Sequence, residues 1–193
     1  MALLATEEMC AYCFNVVCAR IHGKSIPACP SSIPNVDSPV FITFKKLPSE
    51  DLRGCIGNFG AYPLHTQLKD YAIHAAFDDH RFSPIAEKEL PSLECCVSLL
   101  HSFEKGNAWD DWVVGTHGVK LQYRDLSATY LPSVAVELQW NKEQTIKSLM
   151  GKAGYKGTVD GSVLKEISIK RYQVSKACIS YKEYLELEAT KKK

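Results

Sequence analysis

The order of predicted helices and strands limits the fold of this chain more than any other feature of its sequence. Helical periodicity follows Thr6, Pro63, Asn141 and Ser180, which are residue types that begin helices. Strand patterns lie at 40–44, 52–59, 94–100, 119–123, 128–131 and 163–172, with a turn and short strand at 109–114. The strands do not alternate regularly with helices, as they do in a parallel doubly wound sheet. The sequence therefore predicts an α+β fold with largely antiparallel pairing.

The length and composition indicate one globular domain. The chain has 193 residues, of which 46% are hydrophobic and 23% charged, so it can bury a sizeable core. The proline-rich stretch at 22–39 is a loop and not a linker, because only one helix precedes it. We predict a single domain over residues 1–193, with its core at about 6–184 and a basic tail at 190–193.

The charge balance argues against nucleic-acid binding. Lysine and arginine together number 23, aspartate and glutamate 22, and the formal net charge is +1. Proteins that neutralise phosphates usually carry a basic excess or stripe, and the only basic run here is the terminal one. The phosphate-loop, dinucleotide and H-E-x-x-H metal motifs are absent, and no cofactor is predicted.

The compartment in which the protein is expected to work decides whether its eight cysteines are expected to form disulfides. The N-terminal segment lacks the basic region of a signal peptide, and no apolar run approaches the ~18 residues of a membrane span. We therefore expect an intracellular protein, cytoplasmic and/or nuclear, with reduced cysteines and without a disulfide framework. Cys10 and Cys13 have no second ligand pair at matching spacing, so packing explains them and no metal site is predicted.

The segment Leu52–Gly57 carries the main functional hypothesis. Gly54 and Gly57 are unfavourable within a strand, and such glycines mark a bulge or a close approach of a ligand or backbone. A regular strand would place Arg53, Cys55 and Gly57 on one face, with open space beside the sulfur. A guanidinium beside a thiol favours the reactive thiolate. The alternative reading makes Cys55 a small buried hydrophobe and pairs Arg53 with a carboxylate that locks the strand.

Four more polar residues are candidates for a site. Asp79 and Arg81 follow a helix end, where they either orient a substrate or Arg53, or form a capping ion pair. His117 is the best-placed candidate for a general acid or base, and Glu137 is a candidate partner for it or for Arg53. Whether these side chains converge is decided by folding, so the sequence leaves it open.

Seven segments agree with the motifs of one family. They are LRGCIG at 52–57, DHRF at 79–82 with Pro84, CVSLL at 96–100, GTHGV at 115–119, ATYLP at 128–132, Trp140, and KAG at 152–154. The chain resembles the AMMECR-one family over roughly Thr6 to Tyr184. Ser133 and Asn141 depart from it, since many members have Glu and Asp there.

The resemblance implies a fold but no activity. It implies two β-rich and helical halves that share a largely antiparallel, barrel-like sheet. The family's biochemical function is unassigned. Its prokaryotic members are associated with Memo-type and radical-SAM proteins, and a nuclear role has been suggested for eukaryotic members.

Two hypotheses of function stay open, so whether the chain is an enzyme is undecided. In the first, Cys55 is a nucleophile or redox thiol, Arg53 favours the thiolate or holds an anionic substrate, and protons move through His117 or Glu137. In the second, a non-catalytic adaptor or regulatory protein docks a Memo-like or other protein partner on its glycine-containing strand. The candidates for binding substrate or partner are Gly54, Gly57, Asp79 and Arg81.

Overall fold

The computed structural model describes residues 3–191, which form two compact units. The first unit contains residues 3–99 and 175–191, and the second contains residues 100–174. The long strands β3 (Leu93–Lys105) and β6 (Ser168–Ser180) contribute residues to both. The predicted single domain over 1–193 stays a prediction. Of the predicted basic tail, Lys192 and Lys193 lie outside the described residues.

The first unit packs helices on one face of an antiparallel sheet. Its other elements are α1 (Glu7–Ile21), β1 (Asp37–Lys46), β2 (Asp51–Pro63), α2 (Leu64–Ile73), a π-helical turn (His74–Asp78), a 3-10 turn (Glu87–Ser92) and α6 (Tyr181–Thr190). β1 pairs with both β2 and β3, and β2 is an edge strand. Val40, Ile42 and Phe44 alternate along β1 and are buried together with apolar residues of α1 and α2.

The second unit has its own core. Besides its parts of β3 and β6 it contains β4 (Gly118–Tyr123), β5 (Leu126–Tyr130), α3 (Pro132–Glu137), α4 (Lys142–Lys152) and α5 (Gly161–Glu166). β4 pairs antiparallel with β5 and with β6. Val119 and Leu121 of β4 bury one face of this sheet against Ile146 and Leu149 of α4. The side chain of Asn141 accepts from Gln144 N at 2.9 Å and caps α4 as predicted.

The predicted fold class is confirmed, because helices and antiparallel strands are mixed in both units. Two local predictions are wrong. Residues 109–114 form turns without a strand. The strand expected from Val163 begins only at Ser168, because Asp160 accepts from the backbone N–H groups of Ser162 and Val163 and starts α5 there.

The expectation of reduced cysteines is corrected at one pair. Cys96 of β3 and Cys178 of β6, both in the first unit, form a disulfide. The two residues are 82 positions apart, so only the strand pairing brings their side chains together. The other six cysteines are free thiols, among them the half-buried Cys29 and Cys55. Within residues 3–191, no helix has the length and apolar character needed to cross a bilayer.

Candidate functional site

The segment Leu52–Gly57 lies in the edge strand β2 and contains a bulge. Gly54 pairs with Phe44 while Leu52 pairs with Lys45, so the register shifts and Arg53 has no directly opposite residue. From Gly54 to Asn58 the pairing is regular, and Cys55 lies opposite Thr43. Side-chain alternation therefore holds for Cys55 and beyond, but it does not extend back to Arg53.

Arg53 forms a buried ion pair with Glu89. Its Nε and Nη2 donate to the two carboxylate oxygens at 2.9 and 3.1 Å, and its side chain is only 6% exposed. The hydrogen bond from Arg53, helped by the N–H of Ala86 and by Lys46, lowers the pKa of Glu89 to about 2. Arg53 Nη1 is also buried, and it has no partner among residues 3–191. The Arg53–Glu89 ion pair joins β2 to the 3-10 turn. It matches the alternative reading of the sequence, in which Arg53 pairs with a carboxylate.

Asp79 and Arg81 hold the outer edge of β2 at Cys55. Asp79 Oδ2 accepts from Cys55 N at 2.9 Å, and Arg81 Nη2 donates to Cys55 O at 3.1 Å. Arg81 also binds both oxygens of Asp79, at 2.9 and 2.7 Å. The hydrogen bond from Arg81, followed by those from backbone N–H groups, holds the pKa of Asp79 well below its usual range. The backbone of Cys55 is thus fixed by two side chains that follow the π-helical turn.

Arg81 differs from Arg53 in its exposure. Its side chain is 55% exposed, whereas Asp79 beneath it is 5% exposed. The hydrogen bond to Asp79 raises the pKa of Arg81, and the negative charge of a Cys55 thiolate contributes in the same direction. Within the described chain, Arg81 Nη1 has no hydrogen-bond partner. The cation beside Cys55 is therefore Arg81, and it presents free donors to solvent.

The thiol of Cys55 points along a row of cross-strand neighbours. Thr43 Oγ1 donates to Cys55 Sγ at 3.2 Å. Thr43 in turn lies opposite Cys96, which is bonded to Cys178. Cys55, Thr43, Cys96 and Cys178 thus follow one line across four strands, on the face opposite the buried β1 residues. Cys55 itself is half-buried, whereas Cys96 further along this line is fully buried.

Both glycines of the segment permit close backbone packing. A Cβ on Gly54 would lie 2.0 Å from the carbonyl oxygen of Ala75, and one on Gly57 would lie 2.3 Å from that of Val40. β1 therefore occupies the space expected to be open beside Gly57, and that expectation is wrong. Any role of the glycines in binding a substrate or partner stays a prediction.

His117 and Glu137 belong to the second unit. His117 Nδ1 accepts from Val113 N at 3.0 Å, which orients the half-buried ring. Glu137 is exposed and ends α3. Their predicted roles in proton transfer stay predictions, whereas Cys55, Asp79 and Arg81 are brought into direct contact.

Two residues of this site were not among the sequence candidates. Thr43 had no usable signal, because counting pairs back from the turn puts Ile42 opposite Cys55, and only the bulge at Arg53 shifts the register to Thr43. Glu89 had none, since it lies 36 positions from Arg53 in a turn without a motif.

One group of side chains has ligand atoms spaced for a metal ion. Among the described residues, the ligand atoms of Glu94, Cys96 and Cys178 lie within 4.8 Å of one another. Two of the three are the disulfide sulfurs. Because thiolates and not disulfides bind metals, this group is a metal site only after reduction.

These features define a class of protein: a two-unit α+β chain whose glycine–cysteine edge strand is held by an aspartate–arginine pair. The AMMECR1 family model matches residues 10–177, and the chain belongs to that family. The resemblance inferred from the sequence motifs is confirmed.

The similar proteins carry no assigned activity in their names, and one of them, a solved structure, shares the fold. The chain is 39% identical over 190 residues to uncharacterized protein At2g38710 of Arabidopsis thaliana, covering 94% of this chain and 88% of that protein. It is 41% identical over 186 residues to uncharacterized protein C688.03c of Schizosaccharomyces pombe, covering 93% and 95%. The crystal structure of uncharacterized protein PH0010 from Pyrococcus horikoshii matches with a TM-score of 0.73 at 25% identity, covering 91% and 93%.

Proposed function

We propose that this protein is a thiol-dependent enzyme, in which Cys55 attacks an electrophilic substrate that carries an anionic group bound by Arg81. The observation that supports this most directly is the placement of the half-exposed Arg81 guanidinium against Cys55. A strongly perturbed carboxylate and charge-assisted hydrogen bonds to a half-buried cysteine are typical of functional sites.

The chemical step uses the Cys55 sulfur, solvent and the side chains of Arg81 and Thr43. The Cys55 thiol gives its proton to solvent, and the thiolate sulfur forms a bond to an electrophilic carbon of the substrate. The leaving group departs with the electron pair of the broken bond. Arg81 orients the substrate through its anionic group, while the Thr43 hydroxyl donates to the sulfur and holds it in place. No proton transfer is assigned to His117 or Glu137.

Arg53 has a supporting part in this proposal. Its guanidinium is committed to Glu89, and both arginines lie near the ring of Phe82, at 5.9 and 5.5 Å from its centroid. Arg53 therefore fixes the strand from which Cys55 projects, and Arg81 contacts the substrate.

Docking of a Memo-like or other protein partner on β2 is the alternative function. Leu52 and Tyr62, which lie near the two ends of this edge strand, are 39% and 55% exposed. They are separated by roughly 33 Å at about 3.3 Å per residue, so they do not form one apolar patch. The polar contacts around Cys55 favour the thiol proposal. We propose that the protein works in the cytoplasm and/or nucleus, where Cys55 would remain reduced.

The proposal is tested by the alkylation rate of each cysteine in the native protein across pH, measured by peptide mass spectrometry. Cys29 is the matched internal control, because it is half-buried and free like Cys55, while burial raises its pKa to about 11. We expect Cys55 to react much faster than Cys29 at neutral pH. If the two thiols react at similar rates until the protein unfolds, Cys55 is structural and partner docking becomes the better account.

A further inference from the structure

A row of three lysines crosses the sheet of the second unit. Lys120 of β4 lies directly opposite Lys170 of β6. Gly106 N donates to Ile169 O at 3.0 Å, which places Lys105 of β3 opposite the same Lys170. All three are exposed, and adjacent strands are about 4.8 Å apart, so three ammonium groups project from neighbouring strands on one face.

This arrangement is unfavourable for the fold alone. Like charges that lie directly opposite each other in an antiparallel pair are destabilising. Among residues 3–191, none of the three ammonium groups has an ion-pair partner. The nearby carboxylates Glu104 and Glu166 are bound to Arg171 and Arg124 instead. The lysine row therefore has uncompensated positive charge that an anion would neutralise.

The same three lysines line one groove. It has a volume of about 250 Å³, and its other lining residues are Gln122, Ser168 and Ile169. No carboxylate lines it, and its amide and hydroxyl, Gln122 Nε2 and Ser168 Oγ, donate to the backbone carbonyls of Arg124 and Gln122, so the three lysines are the groups that would bind an anion. We propose that this lysine row is a binding site for a small phosphorylated ligand that carries two or three phosphoryl groups.

The chemistry of the groove selects this class of ligand. Lysine binds phosphate as a compact point charge, and three lysines complement the charge of a diphosphate or triphosphate. The small volume accommodates such a group, while an extended nucleic acid needs a longer basic surface than three residues. The site is independent of Cys55 and of the proposed thiol chemistry, because it consists only of residues from 105 to 170 in the second unit.

The test compares two double variants of the full chain that change the net charge equally. Lys120→Gln/Lys170→Gln removes two members of the row, and Lys156→Gln/Lys165→Gln removes two exposed lysines of the same unit that do not line the groove. Binding of inorganic tripolyphosphate is measured by isothermal titration calorimetry at fixed ionic strength, with sulfate as a second probe. Thermal unfolding of each variant is measured with and without tripolyphosphate.

The expected result has two parts. Tripolyphosphate binds the parent and the Lys156/Lys165 variant saturably at one site, and binding to the Lys120/Lys170 variant is at least about tenfold weaker. Without ligand, the Lys120/Lys170 variant unfolds at a temperature equal to or higher than the parent, because the repulsion is relieved. Tripolyphosphate raises the unfolding temperature of the parent but not of this variant.

Three outcomes would overturn the proposal. Equal loss of affinity in both double variants would show general charge attraction. Absence of saturable binding to the parent at millimolar tripolyphosphate would show that the row is only a solvated surface. Binding of a single-stranded oligonucleotide that depends on Lys120 and Lys170, without binding of tripolyphosphate, would assign the row to nucleic acid instead.

Discussion

Arg53 and Arg81 both lie near the phenyl ring of Phe82, yet they differ in burial and in hydrogen-bond partners, and so in the role each can have. Arg53 is almost fully buried and forms a two-point ion pair with Glu89, so it stabilises the strand. Arg81 is half-exposed, binds Asp79 with one edge of its guanidinium and contacts the backbone of Cys55. The arginine two positions before the cysteine in sequence is thus not the arginine that contacts it in the fold. The degree of burial and the hydrogen-bond partners distinguish the stabilising role of Arg53 from the substrate-binding role proposed for Arg81.

The largest expected effect comes from removing the buried guanidinium. Arg53→Leu leaves the Glu89 carboxylate without its main partner, and we expect a loss of about 3 to 5 kcal/mol in the free energy of unfolding. Urea titration measures it. Arg20→Leu, at an exposed position near the end of α1, should change stability by less than about 0.5 kcal/mol. Equal losses in the two variants would show that the Arg53–Glu89 pair has no special part in stability.

Substituting Gly54 tests whether the segment is closely packed. The added methyl of Gly54→Ala would lie 2.0 Å from Ala75 O, so we expect a loss of about 2 to 3 kcal/mol. Gly151→Ala is the matched control, because nothing lies within 4 Å of that position in α4. Alanine should stabilise that helix by about 0.5 to 1 kcal/mol. A neutral Gly54→Ala in the same thermal denaturation series would contradict the close approach.

Acid should weaken the Arg53–Glu89 ion pair over a pH range that follows from the pKa of Glu89. The folded-state pKa of Glu89 is about 2, below the usual 4.5, so its stabilising contribution is complete above about pH 5 and is lost as the pH falls toward 2. We expect this contribution to be about 2 kcal/mol, allowing for partial exposure. Unfolding free energies of the parent and Glu89→Gln at pH 7, 4 and 2.5 measure it. A difference that does not shrink with falling pH would refute the assignment.

Removing the Thr43 hydroxyl, which donates a hydrogen bond to the Cys55 sulfur, should have a smaller effect than the changes above. Thr43→Val keeps the shape of the side chain and removes the donor to Sγ, so we expect the Cys55 alkylation rate to change by about two- to fivefold. Thr129→Val, on β5 of the second unit, is the control and should leave that rate unchanged. Equal rates in the parent and Thr43→Val would remove Thr43 from the site.

Much of the fold follows from local signals in the sequence. The capping residues Thr6, Asn141 and Ser180 mark helix starts because their side chains bond to nearby backbone groups. The short helix α3 has too little periodicity to be recognised, and the Asp160 cap of α5 precedes a segment whose alternation resembles a strand. Local sequence therefore indicates clearly where helices begin. It indicates less clearly whether a short segment is a helix or a strand.

The site depends on contacts that local sequence does not encode. The bulge at Arg53 cannot be seen without the partner strand, and it invalidates a face assignment made from residue alternation. Glu89 and the Cys96–Cys178 bond are brought into place by pairing over 36 and 82 positions. The polar candidates Asp79 and Arg81 were identifiable, but their contacts with the Cys55 backbone come only from the fold.

The central claim is that Arg81 presents an anionic substrate to Cys55. The most direct test is the ratio of Cys55 alkylation rates with iodoacetate and iodoacetamide, which differ in charge at similar size, in the parent, Arg81→Leu and Arg20→Leu. We predict a ratio favouring iodoacetate in the parent and in Arg20→Leu, and a ratio about two- to fivefold lower in Arg81→Leu, since one partly exposed charge contributes up to about 1 kcal/mol. An unchanged ratio in Arg81→Leu would contradict the account.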